Sequence, residues 1–223
     1  MRERKRAAAL AAVAAEVRSG MVVGLGTGTT AYFVIEELAR RIREDVLQVT
    51  GVPTSNETAR LARDGGIPLA DLAAVLDVDI DGADEVDPGH NLTKGGGGAM
   101  TREKIVAVAS KRLVIVVDES KLVPSLAWPV PVEVLPFAEP YVRRELRARF
   151  PGCSPALRVR DGAIFVTDNG NHIFDVAFGS GRPAPNRIAA ELKRIPGVVE
   201  HGLFVGLKPA VYVSGANGVR VLT

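Results

Sequence analysis

Short apolar runs alternate with segments whose apolar residues recur at helical spacing through the first half of the chain. The run 21–26 predicts a buried strand, and residues 31–42 carry apolar side chains three and four positions apart, as one face of a helix does. The same reasoning predicts a helix at 7–18, then strands near 47–51, 77–80 and 113–117 and helices near 55–64 and 101–110. Strands that alternate with helices favour a parallel sheet, because parallel neighbours need a crossover connection. We therefore predict an α/β fold with a Rossmann-like, mostly parallel sheet and helices on both faces.

Beyond Lys121 the pattern changes, because prolines at 124, 129, 131 and 136 punctuate the chain, and proline is depleted from central strands. The elements predicted there are a basic amphipathic helix at 139–150, short strands near 157–160, 163–167 and 172–177, a helix at 185–195, and strands at 198–205 and 210–214. The Asn217-Gly218 pair predicts a closing hairpin. We predict two domains, an α/β domain of residues 1–126 with 205–223 and a smaller inserted α+β domain of residues 127–204.

The charge balance and the composition argue against several classes of binding partner. The 28 Lys and Arg residues nearly balance the 26 Asp and Glu residues, so no nucleic-acid partner is expected. No apolar run approaches the ~20 residues that span a bilayer, so no membrane segment is predicted. A single cysteine, Cys153, excludes an intrachain disulfide and a thiolate metal cluster, and three dispersed histidines give no metal-ligand spacing. The composition favours a cytoplasmic protein without a metal.

The first segment whose residues suggest a chemical role is 24–30, between the first strand and its helix, and its residues Gly26–Thr30 are here called the threonine loop. Glycine permits close backbone approach, and the helix N-terminus offers N–H groups and a partial positive charge. The hydroxyls of Thr27, Thr29 and Thr30 add donors, which is typical of a phosphate site; a tight turn capped by threonine is the alternative. A dinucleotide fingerprint fits poorly, because Thr29 replaces its third glycine and no acidic residue follows the second strand.

The second segment, 77–85, is rich in aspartate. It opens like a calcium-binding loop, but Pro88 stands at the twelfth position, where that loop needs a bidentate glutamate. Asp81 and Asp84 instead follow an apolar run, and the carboxyl ends of parallel strands are where open α/β sheets bind ligands. A solvated acidic loop is the alternative.

The third segment is 94–104; its first part, Lys94–Gly98, is here called the glycine loop, and it runs directly into a predicted helix. Four successive glycines are costly in chain entropy, so they are expected where the backbone must approach something closely. A flexible linker is the alternative. Glu103 falls in the first turn of the helix, where an acid is also favoured by the helix dipole. All three segments lie on connections of one predicted sheet, and together they offer phosphate donors, carboxylates, a cation and a candidate base.

At these residues the sequence resembles ribose-5-phosphate isomerase of type A. The shared motifs are Gly-Thr-Gly-Thr-Thr at 26–30, Asp-Gly-Ala-Asp-Glu at 81–85, and Lys-Gly-Gly-Gly at 94–97 with Thr-Arg-Glu-Lys at 101–104. The likeness continues through Ser120-Lys121, Pro-Val-Glu-Val at 131–134, Thr-Asp-Asn-Gly-Asn at 167–171 and Pro-Gly-Val-Val at 196–199. Gly98 departs from it, since alanine is expected there in many members.

The resemblance implies a role for each matching residue. Glu103 would be the general base that moves a proton between C2 and C1 through a cis-enediolate, and Lys94 would stabilise the oxyanion. Asp81 and Asp84 would bind sugar hydroxyls, and Asp81 would assist ring opening. The remaining residues implied to line the substrate site are Thr27, Gly28, Thr29, Thr30, Gly82, Ala83, Gly95, Gly96, Gly97 and Lys121, the last at the phosphate. The resemblance also implies a sugar-phosphate substrate, no cofactor, and a homodimer or homotetramer.

Two other classes of protein compete with this interpretation. A sugar-phosphate sensor of transcriptional regulators would carry a helix-turn-helix segment, for which the helix before the first strand leaves no room, and would not need Glu103. A dinucleotide-dependent oxidoreductase is opposed by the incomplete fingerprint.

Overall fold

The computed structural model describes residues 2–44, 47–72, 75–179 and 181–223. Its helices are α1 (Arg2–Glu16), α2 (Ala31–Glu44), α3 (Asn56–Asp64), α4 (Met100–Ala109), α5 (Glu139–Arg149) and α6 (Pro185–Leu192). Its strands are β1 (Val22–Leu25), β2 (Thr50–Pro53), β3 (Val78–Asp81), β4 (Glu85–Val86), β5 (Leu92–Thr93), β6 (Leu113–Asp118), β7 (Val130–Val134), β8 (Ser154–Leu157), β9 (Val159–Arg160), β10 (Ala163–Ile164), β11 (His172–Ala177), β12 (Val198–His201), β13 (Leu203–Phe204), β14 (Ala210–Gly215) and β15 (Gly218–Leu222).

The chain divides into two compact units. The first comprises Met1–Ala83, Arg102–Leu122 and Leu207–Thr223, and the second comprises Asp84–Thr101 and Val123–Gly206. The predicted domains placed 84–101 in the first domain. In the structure this segment belongs to the second unit, because β5 pairs with both β4 and β13 in an antiparallel sheet.

The first unit is organised by one sheet with the strand order β15-β14-β6-β3-β1-β2. Every neighbouring pair is parallel except the terminal β14–β15 hairpin, in which Gly215 lies opposite Gly218. The predicted mostly parallel sheet is confirmed.

Strand β1 shows that helices cover both faces of this sheet. Val23 and Leu25 enter a buried cluster that contains residues of α1 and α2. Gly24 points the other way, since side chains alternate along a strand. A Cβ on Gly24 would lie 2.6 Å from Val106 Cγ1, so glycine lets α4 pack closely against this second face.

The second unit is an α+β assembly. Its main sheet is antiparallel, in the order β12-β7-β11-β8, and its apolar face forms a core with α5 and α6. The largest fully buried side chains of this core include Phe174, Leu146 and Ile188.

The prolines after Lys121 do not exclude a central strand. Pro131 lies in β7, which has neighbours on both sides. Its carbonyl accepts the N–H of Gly202 at 2.7 Å, and the carbonyl and nitrogen of one strand residue point the same way. The missing N–H of Pro131 therefore faces the residue just beyond the end of β12, where the ladder does not need it.

Within the described ranges, the structure contains no helix with the length and apolar character required to traverse a bilayer. Over the same residues, no group of three or more His, Cys, Asp or Glu side chains is arranged to hold a metal ion.

Candidate active site

The threonine loop connects β1 to α2, and it meets the end of β3 because β1 and β3 are parallel neighbours. Asp81, the last residue of β3, accepts the N–H of Thr27 at 3.1 Å and the N–H of Gly82 at 2.7 Å through Oδ1. A Cβ on Gly26 would lie 2.1 Å from this oxygen and 2.7 Å from the Cα of Asp81. Only glycine at position 26 therefore allows the loop to reach the aspartate.

Buried hydroxyls fix the base of the threonine loop. Thr27 Oγ1 lies 2.7 Å from Thr54 Oγ1 and 3.2 Å from Thr58 Oγ1, and Thr54 and Thr58 are buried. Thr58 also donates to the carbonyl of Gly26 at 2.9 Å. The hydroxyl of Thr27 thus helps to hold the loop, while Gly28, with φ of +99°, turns the chain towards α2.

Two lysines bring positive charge to this edge of the sheet. Lys5 on α1 donates to Thr29 Oγ1 at 2.8 Å, and Lys121 ends the short helix that follows β6. Burial alone would raise the pKa of Asp118, at the end of β6. Hydrogen bonds from the hydroxyl and N–H of Ser120, with Lys5 and Lys121 nearby, lower that pKa below its ordinary value instead.

A cavity of about 580 Å³ opens beside the threonine loop within the first unit. Its lining residues include Lys5, Gly26, Gly28, Thr29 and Tyr32. Lys5 is not among the predicted site residues, because the sequence pattern predicts a first helix that begins at residue 7, whereas α1 begins at Arg2.

Glu103 belongs to the first unit and lies in the first turn of α4. Its side chain is only 4% exposed, which is low for a carboxylate. Its neighbour Arg102 donates to Asn56 Oδ1 at 3.0 Å, a contact that ties the start of α4 to the start of α3.

In the second unit, Asp84 is bonded to the glycine loop. Its Oδ2 accepts the N–H of Gly96 at 2.8 Å, and its own N–H donates to the carbonyl of Thr93 at 2.9 Å. A Cβ on Gly96 would lie 3.0 Å from Asp84 Oδ1, so glycine there permits the close approach.

Lys94 is buried, with 4% of its surface exposed. Its N–H donates to the carbonyl of Gly202 at 2.8 Å, and its Nζ lies 5.4 Å from the centre of the Phe204 ring. An ammonium group over an aromatic face is stabilised by the ring quadrupole while it is partly removed from water.

The structure thus assembles the predicted residues in two groups. The first unit holds the threonine loop against Asp81 and Gly82, and it also carries Ala83, Glu103 and Lys121. The second unit holds Asp84 against the glycine loop with Lys94.

Comparison with known proteins identifies the family. Residues 50–218 match the model of ribose 5-phosphate isomerase A (phosphoriboisomerase A). The ribose-5-phosphate isomerase A of Streptococcus agalactiae serotype V is 49% identical over 225 residues, which cover 100% of this chain and 99% of that protein. This chain belongs to the ribose 5-phosphate isomerase A family.

Solved structures of the family superpose on nearly the whole chain. Ribose 5-phosphate isomerase A from Methanocaldococcus jannaschii has a TM-score of 0.92 at 43% identity and covers 99% of this chain and 98% of its own. A D-ribose-5-phosphate isomerase in complex with phospho-erythronic acid has a TM-score of 0.92 at 38% identity, covering 99% of this chain and 97% of its own. The threonine loop precedes the segment matched by the family model but lies within these full-length matches.

Two family motifs without an assigned role meet at one carboxylate. Glu133 is fully buried in β7, and the donors around its two oxygens are side chains of the second unit. They are the hydroxyls of Thr101 at 2.5 Å and Thr167 at 2.9 Å and the amides of Asn169 at 3.0 Å and Asn171 at 2.9 Å. Within the second unit, the carboxylate of the Pro-Val-Glu-Val motif therefore holds the Thr-Asp-Asn-Gly-Asn loop and Thr101. No local pattern in the sequence indicates this cluster, since the partners lie more than 30 positions away.

Proposed function

We propose that this chain interconverts D-ribose 5-phosphate and D-ribulose 5-phosphate, in the non-oxidative branch of the pentose phosphate pathway. The observation that carries the proposal is the full-length match, at 49% identity, to the ribose-5-phosphate isomerase A of Streptococcus agalactiae. The arrangement within each unit supports specific roles for the residues.

The threonine loop and its lysines bind the phosphate. The N-terminus of α2 offers backbone N–H groups, and Lys5 and Lys121 supply positive charge at the same edge of the sheet. A related isomerase was solved with phospho-erythronic acid, whose carboxylate has the planar, anionic character of an enediolate. We infer that phosphorylated sugar acids also bind this chain.

Glu103 moves the proton. A buried carboxylate that abstracts a proton from C2 of the open-chain aldose and returns it to C1 serves as base and then as acid, through a cis-enediolate. A general base of this kind contributes about 10²- to 10⁴-fold to the rate. Lys94 stabilises the negative charge that develops on the oxygen, and its low exposure strengthens that interaction because water screens it less.

The two aspartates have different tasks. Asp81 shapes the threonine loop through its bonds to Thr27 and Gly82, and its carboxylate assists ring opening. Asp84, which is bonded to the N–H of Gly96 in the glycine loop, binds sugar hydroxyls with its carboxylate. The chemistry as proposed uses no cofactor and no metal.

The test is conversion of ribose 5-phosphate in excess EDTA by the wild type and a Glu103→Gln variant. We expect turnover by the wild type and a loss of at least ~10²-fold in kcat for the variant. The matched control is Glu139→Gln, because Glu139 is also a glutamate in the first turn of a helix and is bonded to His172. Sugar-phosphate binding without turnover by the wild type would favour a sensor. Full activity of the variant would move the base to Asp81 or Asp84.

The resemblance further predicts a homodimer or homotetramer in the cytoplasm. Light scattering on the purified protein measures the first property, and a monomer would contradict it.

A further inference from the structure

The carbonyl groups of the glycine loop are bonded to arginines that follow about sixty residues later. Arg158 Nη1 donates to the carbonyl of Gly95 at 2.8 Å and approaches that of Gly96 at 3.4 Å. Arg160 Nη2 approaches the carbonyl of Gly97 at 3.4 Å. Three successive carbonyls of the loop are therefore turned towards guanidinium groups of one short segment, all within the second unit.

Arg158 is itself held in a fixed orientation. Its Nε and Nη2 donate to the two carboxylate oxygens of Asp175 at 2.9 and 2.5 Å, and its side chain is only 11% exposed. Its backbone N–H donates to the carbonyl of Ile173 at 2.8 Å, which fixes the segment to β11. A bidentate pair of this kind has a defined geometry, because both groups are planar.

The glycine loop requires hydrogen bonds from other segments to keep one conformation. Gly95 and Gly98 have φ of +101° and +94°, and a run of glycines has high conformational entropy when nothing restrains it. The same loop begins with Lys94, and the N–H of Gly96 donates to the carboxylate of Asp84. A loop that moved would carry both groups with it.

We propose that Arg158, oriented by Asp175, is the positioning residue of the glycine loop: its guanidinium fixes the loop carbonyls so that Lys94 and Asp84 keep the geometry that turnover requires. The inference rests on the proposed isomerase function. Lysine cannot replace Arg158, since one ammonium group does not reproduce the planar guanidinium that bonds to Asp175 and Gly95 at once.

The test compares Arg158→Lys, Asp175→Asn and the double variant with the wild type in steady-state turnover of ribose 5-phosphate. We expect Arg158→Lys to lower kcat/KM by about 10- to 100-fold, the range for losing a charge-assisted hydrogen bond. Asp175→Asn lowers it less, and the double variant is no worse than Arg158→Lys because the two residues act as a unit. The matched control is Arg149→Lys, which alters an ion pair with Glu145 and Glu191 on the same unit.

A second readout separates positioning from general damage to the fold. Inorganic phosphate should inhibit the wild type and Arg158→Lys with the same inhibition constant, because we assign phosphate binding to the threonine loop of the first unit. Turnover of Arg158→Lys within about twofold of the wild type, or an equal loss of phosphate inhibition, would overturn the role of Arg158 and leave the isomerase standing. A wild type that does not turn over ribose 5-phosphate would overturn both.

Discussion

The threonine loop and the glycine loop are both glycine-rich connections, but they are held in different ways. The threonine loop is fixed by the strands beside it: the N–H of Gly26 bonds to the carbonyl of Ile80, and that of Thr27 bonds to Asp81. The glycine loop is fixed by side chains from other segments, by Asp84 before it and above all by Arg158, 63 residues after Gly95.

The difference shows that a glycine-rich sequence can have two structural roles. At Gly26 the absence of a side chain lets a loop enter a space that a parallel sheet has already defined. At Gly95–Gly98 it leaves carbonyl groups accessible, so that polar side chains from elsewhere determine the conformation. Substitutions in the threonine loop should therefore cause steric clashes. In the glycine loop, the damaging substitutions should be those that remove the side chains bonded to its backbone.

The largest effect is expected for Gly26→Ala. The new Cβ would lie 2.1 Å from Asp81 Oδ1 and 2.7 Å from backbone, so the loop and the strand end must separate. We expect kcat/KM to fall by at least about 100-fold and the free energy of unfolding by about 1–3 kcal/mol. The control is Gly97→Ala in the glycine loop, where nothing lies within 4 Å of the added Cβ. Urea unfolding should separate the two, and equal stability losses would contradict the comparison.

The second prediction concerns the buried carboxylate of Glu133, which bonds to Thr101 just after the glycine loop. In Glu133→Gln one carboxylate oxygen becomes an NH₂ group, which faces hydrogen-bond donors and leaves at least one of them unsatisfied in the interior. We expect a loss of about 1–3 kcal/mol in the free energy of unfolding, measured by urea denaturation. Glu145→Gln, which touches a partly exposed ion pair, should cost less than about 1 kcal/mol. If Glu133→Gln were as stable as that control, Glu133 would not be a stabilising anchor of the segment after the glycine loop.

The third prediction concerns Gly98, where the family resemblance leads to alanine. Its φ of +94° strains any other residue, and an added Cβ would lie 2.4 Å from Cε1 of Phe165. We expect Gly98→Ala to lower the free energy of unfolding by about 1–2 kcal/mol. In a Phe165→Ala background the contact is gone and only the backbone strain is left, so the same substitution should cost less. A double-mutant cycle without coupling would show that Phe165 does not fill this space.

The smallest effect is expected for Lys5→Met, which removes a cation from the threonine loop but leaves its backbone bonds in place. We expect KM for ribose 5-phosphate to rise by about 3- to 10-fold with kcat nearly unchanged, as for an interaction made equally in the ground and transition states. Lys111→Met is the matched control, because its ammonium bonds to Asp77, before the start of β3 and so at the opposite end of the strand from Asp81. A fall in kcat alone would contradict a role in phosphate binding.

The features that sequence analysis predicted are those that local patterns encode. Alternating strands and helices indicated the parallel sheet, and parallel strands end at one edge, so the meeting of Thr27 with Asp81 followed from the order of the elements. Glu103 was a candidate base because its helix begins within a recognisable motif, and the structure places it in the first turn of α4, as expected.

The missed features depend on distant pairing. The contacts of Arg158 with Gly95 and of Glu133 with Thr167 require the register of the antiparallel sheet, which no local pattern supplies. The depletion of proline from central strands does not apply to Pro131, because its missing N–H faces the end of a neighbouring strand, and β7 was therefore not predicted.

The position of α1 in the fold has a consequence for folding during synthesis. This helix is synthesised long before β14, yet it packs against that strand, and Glu16 accepts the hydroxyl of Tyr212, 196 residues later, at 2.8 Å. At a translation rate of about 5–20 residues per second, the helix waits about 10–40 s for that strand. During that interval the part of α1 that β14 covers in the native fold lacks its native partner, whereas α2 and β6, which also pack against α1, are synthesised earlier.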